Sequence, residues 1–192
     1  MKKRQLEIIE AAGRILNMSG VKGLTIKNLA KEMQFSESAI YRHFHSKEDI
    51  IVAMLNYLAE RMDDLFAKVV RPKDPPDEKL KGLLRTRFVF FKEHPHFVVA
   101  VFTDGLMEES GRINEAIFMI MNVMKKHLLP IIKEGQAKRV FTNAISAEDM
   151  IHIIMGTFRL QKLKWRIANF EFDLKKDGEK KLQSILALIK EK

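Results

Sequence analysis

Cysteine is absent from the 192 residues, which excludes a disulfide framework, a thiolate metal site and a cysteine nucleophile and gives no sign of an oxidising compartment. Metal binding by histidine and carboxylate stays open. Long hydrophobic runs are missing too: FVVAVF and AIFMIM, six residues each, are the longest, against the roughly 20 that span a bilayer. The start, MKKRQLEIIEAA, carries the basic cluster of a secretory signal, but Glu7 and Glu10 interrupt the apolar stretch that would have to follow. A cytoplasmic chain with no membrane partner is the expectation.

What is present is apolar bulk and positive charge. Hydrophobic residues make up 46% of the chain, enough for one sizeable core or for a small module beside a larger one. Lys and Arg outnumber Asp and Glu by 34 to 25, a net +9, which suits a polyanionic partner such as nucleic acid or an anionic surface. The first 50 residues hold nine basic and six acidic side chains, so the excess is not gathered there.

No stretch of β-branched alternation is long enough to suggest a sheet, and nearly every segment has helical spacing. The chain is expected to be all-α. Residues 3–17 place Leu6, Ile9, Ala12, Gly13 and Leu16 on one face, and SGVKG at 19–23 ends that helix. Thr25 can cap a short helix with the stripe Ile26, Leu29, Ala30 and Met33, and Ser36 can cap another with Ile40 and Phe44 inward. Ser46, with Asp49 three residues on, is a capping-box start for a helix reaching about residue 70. RPKDPPDEK at 71–79 holds three of the five prolines and is the best boundary. Further helices are expected near 78–93, 96–106, 112–137, 146–168 and 174–190, the third of these kinked at Pro130.

Three short helices in about 45 residues, the second and third joined around Gln34, have the layout of a helix-turn-helix reader of DNA. Opposite Ile40 and Phe44 the third helix presents Arg42, with Ser38 and Ala39 beside it and Tyr41 and His43 on the flanks. Arg42 can pair with a guanine edge, Ser38 with a base edge, and the Ala39 methyl with a thymine methyl. Tyr41, His43, Lys47 and Thr25 suit phosphates, and the capping Ser36 stands at the same helix start.

Residues 25–50, TIKNLAKEMQFSESAIYRHFHSKEDI, preceded by IIEAAGRILNMSGVKGLT, resemble the N-terminal domain of the TetR/AcrR family of transcription regulators. The likeness rests most on Tyr41, His43, Phe44 and Lys47, with Ala30 before them. It covers about a quarter of the chain. At Glu37, Ser38 and Ala39 the chain departs from the Lys, Gly and Thr that the family often has, so the resemblance carries the phosphate-holding roles ahead of the base-reading ones. It implies a DNA-binding domain over 1–48 and a larger ligand-sensing, dimerising domain over 49–192, in a non-enzymatic regulator, by default a repressor, that binds a duplex operator without a cofactor.

The residues of the larger half agree with that division. Eleven of the thirteen Phe and eight of the eleven Met lie beyond residue 50. Met62, Phe88, Phe91, Phe102, Met107, Met124 and Phe158, with Phe97 and Met119, are candidates to line a cavity for an apolar small molecule, because Met adapts its shape and aromatic walls suit apolar ligands. Arg87, His127 and Arg159 are available to an acidic group, although solvated positions are the expected ones for them. Ile151, Ile154, Met155, Phe158 and Trp165, with Leu182, Ile185, Leu186 and Ile189, form paired stripes that suit a two-fold dimer through the last two helices, or simply each helix's own core. Two other readings are weaker. A di-iron bundle would use Glu93 with His96 and Asp149 with His152, but Pro95 interrupts the first pair and the second has Asp for Glu. A membrane- or partner-binding module lacks a helix with a strongly basic face opposite a bulky apolar one.

Overall fold

In the computed structural model, residues 2–101 and 110–191 are described. Among them nine α-helices follow in order: α1 Lys3–Gly23, α2 Ile26–Met33, α3 Glu37–Tyr41, α4 Lys47–Val69, α5 Pro76–Glu93, α6 His96–Val101, α7 Gly111–Ala137, α8 Ala147–Ile167 and α9 Leu174–Ile189. The fold is all-α. α7 runs through Pro130, and no described helix is long and apolar enough to cross a membrane. Packing divides the chain into two units, Met1–Glu60 with His94–Ile120 and Arg61–Glu93 with Met121–Lys192.

In the first unit α1 buries Ile8, Ile9, Ala11, Ala12, Ile15 and Leu16. The break expected at SGVKG falls on Gly20, whose φ of 63° and ψ of −167° lie outside the helical range and are open cheaply only to glycine. Helical turns resume to Gly23, and the Thr25 hydroxyl then caps α2 by accepting the Asn28 N–H at 3.1 Å. α2 and α6 both pack on α1. The α6 contact is made where α1 lacks a side chain: a Cβ on Gly13 would stand 2.7 Å from Cδ2 of His96.

His96 is thereby pressed between α1 and the Phe97 ring, 4.3 Å away between centroids. Burial, reinforced by neighbouring His94, pushes its imidazole down to about 4. The folded state therefore holds a neutral ring, whereas the unfolded chain takes up a proton near 6.5. Stability is full above that value and is lost as pH falls from about 6.5 toward 4, by on the order of 2 kcal/mol after allowance for the ring's partial exposure. Urea midpoints between about pH 7 and about pH 5 check this. The wild-type midpoint should fall and that of His96→Leu should fall much less; equal slopes for the two would place the acid response elsewhere.

The second unit is organised around α5, α8 and α9. α9 crosses α5 where Gly178 meets Phe88: a Cβ there would come within 2.7 Å of the ring. Phe88 in turn packs against Phe158 of α8, ring centroids 5.1 Å apart and the planes tilted by 55°. Arg85 grips Glu179 with two bonds of 2.9 and 2.6 Å, and the buried ammonium of Lys79 reaches Glu134 at 2.7 Å. The C-terminal end is sewn to the loop after α7 by an isolated antiparallel bridge between Phe141 and Lys190.

The stripes on α8 and α9 face their own core. Ile151, Ile154, Phe158, Trp165, Leu182, Ile185 and Ile189 are all buried within the single chain, and Met155 and Leu186 are half-buried. Helical periodicity identifies an apolar face but not what covers it. A second face of α8 is the exposed one: Ile153, Leu160 and Ile167 are 46%, 52% and 72% accessible. Gly156 stands on the same face, with nothing among the described residues within 4 Å of where its Cβ would be.

Candidate DNA interface and a buried cation pair

The turn between α2 and α3 depends on Gln34 in the left-handed region, φ 55° and ψ 40°. There its N–H reaches back to Lys31, and the Phe35 N–H to the Ala30 carbonyl at 2.8 Å, satisfying the carbonyls that end α2. Ser36 then caps α3, its Oγ accepting the Ala39 N–H at 3.2 Å and lying 2.9 Å from Oγ of Ser38. The two serine hydroxyls are thus one pair at the helix start.

α3 is shorter than its sequence spacing suggests. It ends at Tyr41, with Arg42 as its C-cap, because the next cap competes for the chain. The Asp49 carboxylate accepts the His45 N–H at 3.2 Å while Ser46 Oγ accepts the Asp49 N–H at 3.0 Å, drawing residues 45 and 46 out of helical geometry. Ile40 and Phe44 nevertheless stay buried, joined by a bond of 3.1 Å from the Phe44 N–H to the Ile40 carbonyl. The polar face opposite them survives.

Ser36, Ala39, Arg42 and His43 line one open surface cleft with Phe35 and Arg4. Tyr41 is exposed beside them, Thr25 stands at the start of α2, and Lys47 opens α4. Arg4 is an addition. It lies in the KKR run at the start of α1, its guanidinium 5.0 Å over the Phe35 ring and paired with Glu7. The acidic residues at the head of α4 are engaged: Arg112 bonds Asp49 at 2.8 Å and holds its carboxyl below the usual range, and Ser110 donates to Glu48. With those carboxylates occupied, the face is more acceptable to phosphates.

Of the cavity candidates, Met62, Phe88, Phe91, Met124 and Phe158 are buried in the second unit. Phe102 and Met107 lie outside the described residues. Phe97 belongs to the first unit, and Met119 is half exposed. Phe88, Phe91 and Phe158 come together with Arg87, Gln161, Lys162 and Leu174 around an internal gap too narrow to admit a water molecule, and Met62 and Met124 are not among its walls.

Arg87 overturns its expected solvated position: it is only 7% exposed, and burial alone lowers its guanidinium to about 10. Its Nη1 has no hydrogen-bond partner among the described residues. Lys162 was not a candidate at all. It is 6% exposed and pushed well below the ordinary lysine range by burial first, then by Arg87 and Arg159. Both cations border one ring, Arg87 Cζ at 5.9 Å and Lys162 Nζ at 4.3 Å from the centre of Phe91. His127 is instead engaged by Asp63 at 2.6 Å, and Arg159 is exposed. No group of three or more His, Asp or Glu among the described residues is placed to hold a metal.

Residues 8–54 match the family model described as bacterial regulatory proteins, tetR family. An uncharacterised HTH-type transcriptional regulator of Bacillus subtilis, YerO, is 26% identical over 168 residues, covering 81% of this chain and 56% of that protein. The chain thus spans little more than half of that relative's length. The fold matches the fatty acid degradation regulator FadR of Bacillus halodurans with a TM-score of 0.86 at 20% identity, over 97% of this chain and 96% of that one. The transcriptional regulator FadR of Bacillus subtilis, solved in complex with stearoyl-CoA, matches with a TM-score of 0.83 at 18% identity, over 98% and 100% of the two chains.

Proposed function

We propose that this chain, which belongs to the TetR family of bacterial regulatory proteins, is a homodimeric repressor that holds a duplex operator through α3 and releases it when an apolar small molecule binds the larger part of the chain. The observation that carries the reading is the cleft that gathers Ser36, Ala39, Arg42 and His43 with Arg4 above buried Ile40. Arg42, Ser38 and the Ala39 methyl face base edges, with the Ser36 hydroxyl at the groove rim. Thr25, Tyr41, His43, Lys47 and Arg4 hold phosphates. Residues 1–48 are the DNA-binding part and 49–192 the sensing and dimerising part.

The effector reading is supported by the stearoyl-CoA complex of the Bacillus subtilis FadR and by the apolar side chains of Met62, Phe88, Phe91, Met124 and Phe158. Phe102 and Met107 complete the proposed set. To act, the effector must bind the DNA-incompetent state more tightly, since equal affinity for both states shifts nothing. The dimer reading is supported by the outer face of α8. Gly156 in mid-helix costs about 1 kcal/mol relative to alanine and no contact among the described residues requires it, whereas a facing backbone would.

Selection and sequencing of the genomic fragments that the protein retains tests the DNA-binding part of the reading. On the selected operator, Lys47→Ala should weaken binding to every sequence and flatten the salt dependence, while Arg42→Ala should relax preference at one base pair at a cost of about 1–3 kcal/mol. Unchanged affinity and preference in Arg42→Ala would mean that another face of α3 meets the groove.

A further inference from the structure

We infer that Arg112 of α7 is a positioning residue for operator binding, a role that rests on α3 being the groove helix: through Asp49 it fixes the turn between α3 and α4 on which the DNA-facing side chains stand. One carboxylate joins the two sides. Oδ1 of Asp49 takes Nη1 of Arg112 at 2.8 Å, and Oδ2 accepts the His45 N–H at 3.2 Å. The second of these bonds is the one that ends α3, so whatever holds this carboxylate also holds the path of the chain from His43 to Lys47. The capping box itself needs no guanidinium, since Ser46 Oγ and the Asp49 carboxylate complete it.

A second link runs beside the first. The same Nη1 lies 3.6 Å from Oε1 of Glu48, which also accepts the Ser110 hydroxyl, and the Ser110 oxygen in turn accepts the Arg112 N–H at 3.1 Å. The start of α4 is thus tied to the start of α7 by two neighbouring carboxylates, all within the first unit. The bond from Arg112 holds the Asp49 carboxyl below its usual range, so the acceptor stays ionised and its bond to the His45 N–H is of the stronger, charge-assisted kind. With Arg112 56% and Asp49 22% exposed, the pair adds little to global stability. Its effect falls on binding instead, because a turn already ordered in the free protein does not have to be ordered when the operator binds.

Positioning and plain charge predict opposite signs at Asp49. If Arg112 only supplied positive charge, Asp49→Ala, which removes a negative charge beside the phosphate-facing side chains, would tighten binding, and the double variant with Arg112→Gln would match wild type. Positioning requires both single variants and the double to bind more weakly. The test is fluorescence anisotropy of the full-length protein on the selected operator, with Tm and the backbone amide resonance of His45 measured in the free protein. Arg112→Gln should lose about 3- to 5-fold per reader, the ceiling for an exposed ion pair, hence about 10- to 25-fold where both readers of the proposed dimer share one operator. Its Tm should be nearly unchanged and its His45 amide displaced. Arg112→Lys should bind within about 2-fold of wild type, because a single nitrogen makes both carboxylate contacts and an ammonium can stand in for it as a point charge. Adding Arg112→Gln to Asp49→Ala should weaken binding no further. Arg112 loses this role if Asp49→Ala binds more tightly than wild type, if Arg112→Gln costs as much in the Asp49→Ala background as alone, or if the His45 amide of Arg112→Gln stays in place. Lys47→Ala keeps the two readings apart. Where it loses affinity and Arg112→Gln does not, α3 remains the groove helix and the positioning role falls; where neither loses, the groove assignment falls and the positioning role with it.

Discussion

Leu160→Glu combined with Ile167→Glu should turn the protein into a folded monomer that binds its operator roughly 100-fold or more weakly than wild type. Both residues are exposed on the outer face of α8, at 52% and 72%, so a charge at either meets water in the single chain and leaves the core undisturbed. In the proposed dimer the same carboxylates would be desolvated at the subunit contact, and a two-fold interface buries each of them in two copies. A monomer engages one half-site and forfeits the second, tethered binding event. Sedimentation velocity at micromolar concentration reads the oligomer, and fluorescence anisotropy on the selected operator reads the affinity. A double variant that still sediments as a dimer would move the interface away from this face. By contrast, charges at Leu182 and Ile185, fully or almost fully buried within the chain, should unfold the protein before they say anything about assembly.

Gly135→Ala should cost about 2–4 kcal/mol of stability, although alanine is the better helix former by about 1 kcal/mol. The new methyl would sit 2.0 Å from Cδ2 and 2.5 Å from Cε2 of Phe141, so the ring or the helix must shift. Neither is free to do so. The Gly135 carbonyl accepts the N–H groups of Val140 and Phe141 at 2.8 and 3.1 Å, the Thr142 N–H reaches Ile189 at 2.8 Å, and the Glu191 N–H reaches Val140 at 3.1 Å. Phe141 itself is 1% exposed. Urea unfolding measures the loss, and Phe141→Leu in the Gly135→Ala background should recover part of it. A cost under about 0.5 kcal/mol would mean that the ring turns aside without penalty.

The short helices were legible because their signals are local: Thr25, Ser36 and Ser46 cap where hydroxyls four residues or fewer from the first free N–H groups must cap. The end of α3 was not, since it is decided by competition with Asp49 for the His45 N–H. The burial of Arg87 and Lys162 had a trace in the sequence. Arg87 lies three residues after Leu84 and four before Phe91, and Lys162 four after Phe158 and three before Trp165, so both fall on apolar stripes. Charge and position conflict at both places, because an ionised side chain on an apolar stripe is ordinarily solvated. The outer face of α8 escaped for the opposite reason: Ile153, Gly156, Leu160 and Ile167 also recur at helical spacing, and only the fold reveals which of two apolar stripes its own core has taken.

The single tryptophan gives the junction of α8 and α9 an optical signature. Trp165 is 4% exposed, its indole N–H donates to the Phe172 carbonyl at 2.9 Å, and its ring meets Phe170 edge-on at 4.8 Å. Asn169 and Phe170, with φ of 48° and 63°, hold that ring in place by reversing the chain in two left-handed steps. Emission from the folded protein should therefore be blue, homogeneous and shielded from iodide. Because the indole shares a helix face with Lys162 one turn earlier, any rearrangement of α8 is reported by its spectrum without a label.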